Sequence, residues 1–389
     1  MRIVIAPDSF KGSLSAAGVA AALRRGIADV WAEVEIVCTP VADGGEGTVE
    51  ALVTATSGRF VETRVTGPTG RPVPARWGIL GDGETAVIEV AAASGLVLAP
   101  PGERNPLTAT SRGTGELVRA ALDAGCRRII VGLGGSATND GGAGMAQALG
   151  ARFFDRAGRE LPPGGAALAN LARIDVSGLD PRLAGVEVIG AADVTNPLLG
   201  PTGASAVFGP QKGASPADVR TLEAALTRWA EILEDQLNLE PARVRDMPGA
   251  GAAGGLGAGL AAFCGATLRA GADVVFEAVA LERHVKDAAL VITGEGKLDE
   301  QTAFGKAPAA VARLAKRYGK PVIAVAGALG PGAEQLHALG VDAVISTAPG
   351  PIDLRTSEQR APELLEDTGR RLARLLRVGM SLHSREGQP

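Results

Sequence analysis

The stretch "AALVITGEGKLDEQTAFGKAP", residues 288–308, decides the fold. Its apolar run Ala288–Ile292 has the character of a buried strand, stops at Gly294, and is followed at once by Glu295, Lys297, Asp299 and Glu300. A surface turn needs no such set, whereas the carboxyl end of a strand in an open α/β sheet is where ligands bind. Downstream the pattern predicts a helix over 308–319, a strand over 321–327, a helix over 332–340, a strand over 343–347 and a Leu-rich amphipathic helix around 361–376.

The N-terminus is written in the same grammar. A strand at 2–6 is followed by a loop, a helix over 14–30 with Ser13 or Ser15 as its cap, a strand over 34–42, the break "DGGEG" at 43–47 and a helix over 48–56. Alternating strands and helices imply a parallel sheet with right-handed crossovers. Five such strands make one doubly wound, Rossmann-like sheet assembled from both chain ends, residues 1–62 and 287–389, with 63–286 inserted as a second α/β domain. A simple split near residue 280 is the alternative that this pattern leaves open. The insertion has an α+β texture: residues 59–91 alternate apolar and polar positions across Gly and Pro turns, which predicts antiparallel hairpins. After them come a helix at 115–125, strands at 128–135, 151–155 and 186–191, and a long helix over 216–237. The last residues, 379–389, read as a disordered tail.

Composition bounds the function. With 39 Lys and Arg against 43 Asp and Glu, a net charge of -4 and a pI near 5.6, the chain lacks the basic face of a nucleic-acid binder. Cys38, Cys126 and Cys264 are odd in number and lack C-x-x-C spacing, so they predict buried thiols in a reducing cytoplasm rather than disulfides or zinc. No run approaches the roughly 18 apolar residues of a membrane span, and the start "MRIVIAPDSF" is too short for a signal h-region. His284, His337 and His383 lie in helical or tail contexts. No G-x-x-x-x-G-K-[ST], H-R-D, D-F-G or G-x-S-x-G is present, which excludes a P-loop kinase, a protein kinase and a hydrolase triad as mechanisms.

The chemistry gathers in loops. In a parallel sheet all strands end on one edge, so Asp8-Ser9-Phe10-Lys11, Asp43-Gly44-Gly45-Glu46 and Gly294-Glu295-Gly296-Lys297-Leu298-Asp299 share a rim. Each charge alone is plainly read as solvated. Together, carboxylates, lysines and close-approach glycines suit Mg²⁺ with phosphates, because Mg²⁺ takes one or two carboxylates and Lys offsets phosphate charge. Two glycine-rich loops lie in the insertion: "GLGGSATNDGGAGMAQALG" from Gly132, and "PGAGAAGGLGAGL" from Pro248. Gly134 and Gly135, or Gly251, Gly254 and Gly255, could approach a phosphate or carboxylate at a helix start, with tight helix packing as the plain alternative for the second loop. Its Gly249-x-Gly251-x-x-Gly254 nominally matches a dinucleotide fingerprint but lacks the preceding strand. Asp193 and Asn196 follow the strand at 186–191. They could take a hydroxyl proton or merely form a turn before Pro197.

Seven blocks, "IAPDSFKGSLSA", "ADGGEGTVEAL", "GTGELVRAAL", "GGSATNDGGAGMAQALGARF", "DVTNPLLGPTGASAVFGPQKGA", "PGAGAAGGLGAGL" and "TGEGKLDEQTAFGKAP", resemble in order the motifs of the bacterial glycerate kinase type 1 family. The resemblance runs from Met1 to about residue 380. It implies a cytoplasmic, ATP- and Mg²⁺-dependent kinase that phosphorylates D-glycerate, in most members at the 2-hydroxyl, acting as monomer or homodimer with its site in a cleft between two α/β domains. It implies functional positions at Asp8, Ser9, Lys11, Asp43, Glu46, Ser136, Asn139, Asp140, Asp193, Asn196, Lys212, Glu295, Asp299, Gln301, Thr302 and Lys306. On this basis ATP phosphates are expected against the Gly132 and Gly249 loops and Mg²⁺ on Asp43 or Glu46 together with Glu295. Lys11 or Lys297 would neutralise the γ-phosphoryl group, and Asp193 would be the base. Ala192, Thr195, Ala303 and Phe304 depart from the family's usual residues. A glycerate 3-kinase, a non-catalytic sugar-acid sensor and an NAD-dependent oxidoreductase are the rival readings.

Overall fold

The computed structural model describes residues 1–240, 244–303 and 306–386, with the side chains of Gln301, Ala303 and 383–386 outside the description. Phe304 and Gly305 fall outside it as well. The chain divides into two compact units, one of Met1–Asp43, Glu50–Ala55 and Val275–Pro389, the other of Gly44–Val49 and Thr56–Val274.

The first unit is built on a five-stranded, all-parallel sheet. Its strands lie in the order Ala343–Ser346, Val322–Leu329, Leu290–Leu298, Arg2–Ile5 and Glu35–Cys38. Val4 sits opposite Val291 on one side and Val37 on the other, so the apolar runs seen in sequence form the sheet's centre, and Ile3, Ile5, Val291 and Ile292 are fully buried. Strands buried on both faces read as continuous apolar runs rather than alternating ones. From Arg2–Ile5 the chain steps to Glu35–Cys38 on one side, while Leu290–Leu298 and the strands that follow build outward on the other. The order therefore reverses between Arg2–Ile5 and Leu290–Leu298, and that reversal is where a doubly wound sheet opens a crevice.

Three details differ from the sequence expectation. The strand through "LVITGEGKL" does not stop at Gly294 but continues to Leu298, which pairs with Leu329. Gly294 permits this, because a Cβ there would lie 2.0 Å from the Val325 carbonyl oxygen of the neighbouring strand. The segment 332–340 is a 3-10 turn over Ala333–Leu339 rather than an α-helix. The tail from residue 379 continues a helix, Ala361–Glu386, whose periodic leucines Leu364, Leu365 and Leu372 anchor it in the core. At the N-terminus the helix Ala16–Val30 is capped by Ser15, whose Oγ accepts from Gly18 N at 3.3 Å, while the Ser13 hydroxyl donates to the Phe10 carbonyl.

The second unit has a six-stranded mixed sheet in the order Thr267–Arg269, Glu187–Ala191, Arg128–Gly132, Thr85–Glu89, Pro72–Ile79 and Arg59–Thr66. The first four are parallel, and the last two add as antiparallel hairpins. A separate two-stranded ribbon pairs Arg152–Phe154 with Arg173–Asp175. The long helix Pro216–Gln236 starts at a capping box in which Ser215 and Asp218 bond reciprocally. It buries Trp229 against Phe153 and Phe263, with ring centroids 5.1 and 5.7 Å away. These three rings pack together in a chain whose aromatic content is only 3%.

Candidate active site

In the second unit the parallel strands Arg128–Gly132 and Glu187–Ala191 end side by side, so "LGGS" and "ADV" emerge next to one another. With Gly44, Phe208, Lys212 and Ala252 they enclose a pocket of about 180 Å³. Close backbone contact shapes it. A Cβ on Gly134 would lie 2.8 Å from Gly45 Cα, and one on Gly254 would lie 2.0 Å from the Thr138 carbonyl oxygen. The glycines from Gly249 thus approach protein backbone, with Gly251 against the Pro197 carbonyl and Gly255 against Gly141. Gly254 and Gly255 both take positive φ, which breaks the start of the helix Ala252–Cys264 and brings Ala252 and Ala253 to the pocket wall.

Lys212 lines this pocket although its side chain is almost wholly buried, at 2% exposure. Its Nζ donates to the Thr138 carbonyl at 2.6 Å. Burial lowers its pKa from the ordinary 10.5 to about 7, partly opposed by the field of Asp140. Asp140 is itself buried, and burial raises its pKa against the pull of its donors. It accepts from Ser111 N at 2.8 Å, Ser111 Oγ at 2.9 Å, Gly142 N at 3.1 Å and Gly144 N at 3.2 Å. Asp140 is therefore the hub that folds the Gly134–Gly144 loop, and its carboxylate is spent on protein donors. Asn139 is buried beside it, donates to Ser205 Oγ at 3.1 Å, and leaves Oδ1 without a partner among the described residues. Asn196 donates to the Thr202 carbonyl at 2.7 Å and so braces the loop after Asp193. Asp193 stands exposed at the pocket rim with Ser136, Gly134 and Gly135 as fellow lining residues.

In the first unit the crevice at the order reversal holds buried acids. Asp8 follows the first strand, is 4% exposed, and accepts from Ser9 N at 2.6 Å. Burial above all, with the charges of Asp43 and Glu295 adding, raises its pKa from 3.8 to about 7. Glu295 is 6% exposed and also raised by burial. Thr302 Oγ1 donates to it at 2.6 Å and Lys306 Nζ approaches at 3.5 Å. Lys297 pairs with Asp299 at 3.0 Å, and Thr302 Oγ1 accepts from Asp299 N at 3.1 Å. Lys11 is exposed and its charge pulls the pKa values of both Asp8 and Glu295 down. A hollow of about 780 Å³ adjoins these groups, lined by Ser9, Lys11, Glu295, Lys297, Asp299 and Lys306 and, beyond them, by Ser346–Ala348, Gly350–Ile352 and Leu354.

Of the residues expected from sequence, Asp8, Ser9, Lys11, Asp43, Glu295, Lys297, Asp299, Thr302 and Lys306 fall in the first unit. Glu46, Gly134, Gly135, Ser136, Asn139, Asp140, Asp193, Asn196, Lys212, Gly251, Gly254 and Gly255 fall in the second. Glu46 is exposed. The side chain of Gln301 lies outside the described residues. Two residues escaped the sequence reading. Ser111 orders Asp140 and accepts from Met145 N at 3.0 Å. Glu89, whose pKa burial raises, holds the end of the "DGGEG" loop by accepting from Val49 N at 2.8 Å. Neither sits in a charged or glycine-rich cluster, so nothing local marked them.

Among the described residues no group of three His, Cys, Asp or Glu side chains is gathered to hold a metal ion by itself. Mg²⁺ needs no such group, since it takes one or two carboxylates and completes its shell with phosphate and water oxygens. Two buried, hard-oxygen acids, Asp8 and Glu295, whose pKa values burial raises, fit that demand, because a divalent cation would supply the positive charge that burial withholds from them. Among the described residues no helix is long and apolar enough to cross a membrane.

A sequence profile described as "Glycerate kinase family" matches residues 3–377. The chain is 52% identical to the glycerate kinase of Bacillus subtilis over 98% of this chain and 99% of that one. It is 51% identical to the glycerate 2-kinase of Escherichia coli K12, again over 98% and 99%. A crystal structure of a Salmonella typhimurium LT2 protein superposes with TM-score 0.90 and 52% identity, covering 98% of this chain and 99% of that chain.

Proposed function

The chain belongs to the glycerate kinase family, and we propose that it transfers the γ-phosphoryl group of ATP to the 2-hydroxyl of D-glycerate with Mg²⁺. The observation that carries the residue roles is the pocket whose lining includes both the exposed Asp193 and the nearly buried Lys212. In this reading the Asp193 carboxylate accepts the proton of the attacking hydroxyl, which raises the oxygen's nucleophilicity as bond formation begins. Lys212, charged when an anion enters, fixes the acid end of the substrate. Glu295 with Asp8 and Asp43 would hold Mg²⁺, which when bound spreads the charge of the phosphates. Lys11, Lys297 and Lys306 offset the remaining negative charge. The cytoplasm is the setting we infer, on the support of three free cysteines, of which Cys126 and Cys264 are buried.

The test is ADP release by the purified chain with ATP and Mg²⁺, measured in turn with D-glycerate, L-glycerate, D-lactate and no acceptor. Release that depends on D-glycerate supports the reading. Equal release without any acceptor, or none at all, defeats it. Binding of D-glycerate with no ADP formed would favour a sensor, and nicotinamide binding an oxidoreductase.

A further inference from the structure

The hollow on the first unit's sheet edge and the pocket of the second differ in size, charge and lining. These differences bear on which substrate each takes. Resting on the kinase reading above, we propose that the large hollow seats the nucleotide, with Ile352 and Leu354 as the apolar floor for its base, and that the small pocket takes the three-carbon acid.

Sites that enclose drug-sized ligands measure about 300–1,000 Å³, a range that contains the hollow of about 780 Å³ but not the pocket of about 180 Å³. The small pocket has what a hydroxy acid requires. It offers one buried ammonium for a carboxylate, a glycine-lined wall at Gly134 and Gly135 that admits close backbone approach, and one carboxylate at its rim for a hydroxyl. A polyphosphate would bring several charges to a single cation there. The hollow divides by chemistry. Lys11, Lys297 and Lys306 meet the Glu295 side, where phosphates and their cation belong, while Pro351, Ile352 and Leu354 line it elsewhere with Glu358 as the lining charge nearest them in sequence.

Leu354 is 72% exposed, the second most exposed large apolar side chain among the described residues. It is the first residue of the helix Leu354–Gln359, whose cap Asp353 accepts from Thr356 N at 2.9 Å and from the Thr356 hydroxyl at 2.7 Å. The cap fixes the backbone that carries Leu354. Leu354 is thus an apolar surface on the wall of a cavity, the form of seat that a planar base covers. The segment 346–354 follows the last strand of the sheet, and ligands bind outside the carboxyl ends of such strands. This partition places the ATP phosphates away from the Gly132 and Gly249 loops, where the sequence expectation had them.

The experiment is titration calorimetry on the full chain with a non-hydrolysable ATP analogue plus Mg²⁺ and, separately, with D-glycerate. Leu354→Asp and Ile352→Asp alter exposed or half-exposed positions and serve as independent variants; Lys212→Met probes the other pocket. Losing the apolar seat should weaken the analogue by about tenfold or more and leave D-glycerate within about twofold, while Lys212→Met does the reverse. Unchanged analogue affinity in both Asp variants overturns the proposal. So does a Lys212→Met variant that loses the analogue but keeps D-glycerate, a result that leaves the kinase reading standing. A wild-type chain that binds neither ligand overturns both.

Discussion

Replacing Lys212 with methionine should stabilise the protein while removing its activity. The ammonium is 2% exposed, and burial displaces its pKa from 10.5 to about 7. At about 1.4 kcal/mol for each pH unit, that displacement costs the native state roughly 4 kcal/mol near neutrality. Methionine removes this cost, keeps most of the side-chain volume, and gives up the 2.6 Å hydrogen bond to the Thr138 carbonyl, a loss of about 1–3 kcal/mol if the acceptor stays unpaired. The net gain is about 1–3 kcal/mol, which at about 2–4 °C per kcal/mol raises the melting temperature by several degrees. The pH dependence has a definite sign. Between pH 7 and 10.5 the native lysine binds fewer protons than the unfolded one, so wild-type stability rises with pH and the variant's advantage shrinks. Scanning calorimetry of both chains at pH 7 and pH 9.5, with ADP release measured in parallel, tests this. A variant less stable than wild type by the same margin at both pH values would refute the claim that Lys212 is a charge held at a cost.

Other substitutions read other parts of the account. Asp193→Asn should leave D-glycerate binding measurable and cut turnover by roughly 10² or more, the scale of losing a general base; normal turnover would remove Asp193 from that role. Gly254→Ala adds a Cβ 2.0 Å from the Thr138 carbonyl oxygen at φ +71, so a destabilisation of about 3 kcal/mol or more is expected in urea unfolding. A change under about 1 kcal/mol would show that the loop has room. Asp8, raised to about 7, keeps a proton that Mg²⁺ must displace. The rise in melting temperature produced by Mg²⁺ with ADP should therefore be larger at pH 8 than at pH 6, and an equal rise would take Asp8 out of the metal's surroundings.

The five parallel strands of the first unit were legible because each is a short apolar run bounded by glycine or proline and separated by helical periodicity. The exception instructs: "GEGKL" reads as a loop because its charges and glycines are loop residues by composition. It is strand because Gly294 lets the neighbouring carbonyl close in and the buried Glu295 is held by Thr302 and Lys306. The rim acids were visible from the rule that parallel strands share an exit edge. What sequence did not distinguish was a carboxylate at the surface from one consumed by the fold. Asp140 and Asp193 look alike in their loops, yet one accepts four hydrogen bonds in the interior and the other stands exposed at a pocket. Ser111 and Glu89 were invisible because their partners are backbone N–H groups distant in sequence. The glycines after Pro248 carry the spacing of a nucleotide loop, and their close approaches are to Thr138, Gly141 and Pro197.

The central claim, transfer from ATP to the 2-hydroxyl of D-glycerate, is tested most directly by coupling the reaction to enolase alone. The account predicts phosphoenolpyruvate as soon as ATP, Mg²⁺, D-glycerate and the protein are combined. Phosphoenolpyruvate that forms only after a phosphoglycerate mutase is added would place the phosphate on the 3-hydroxyl and contradict it.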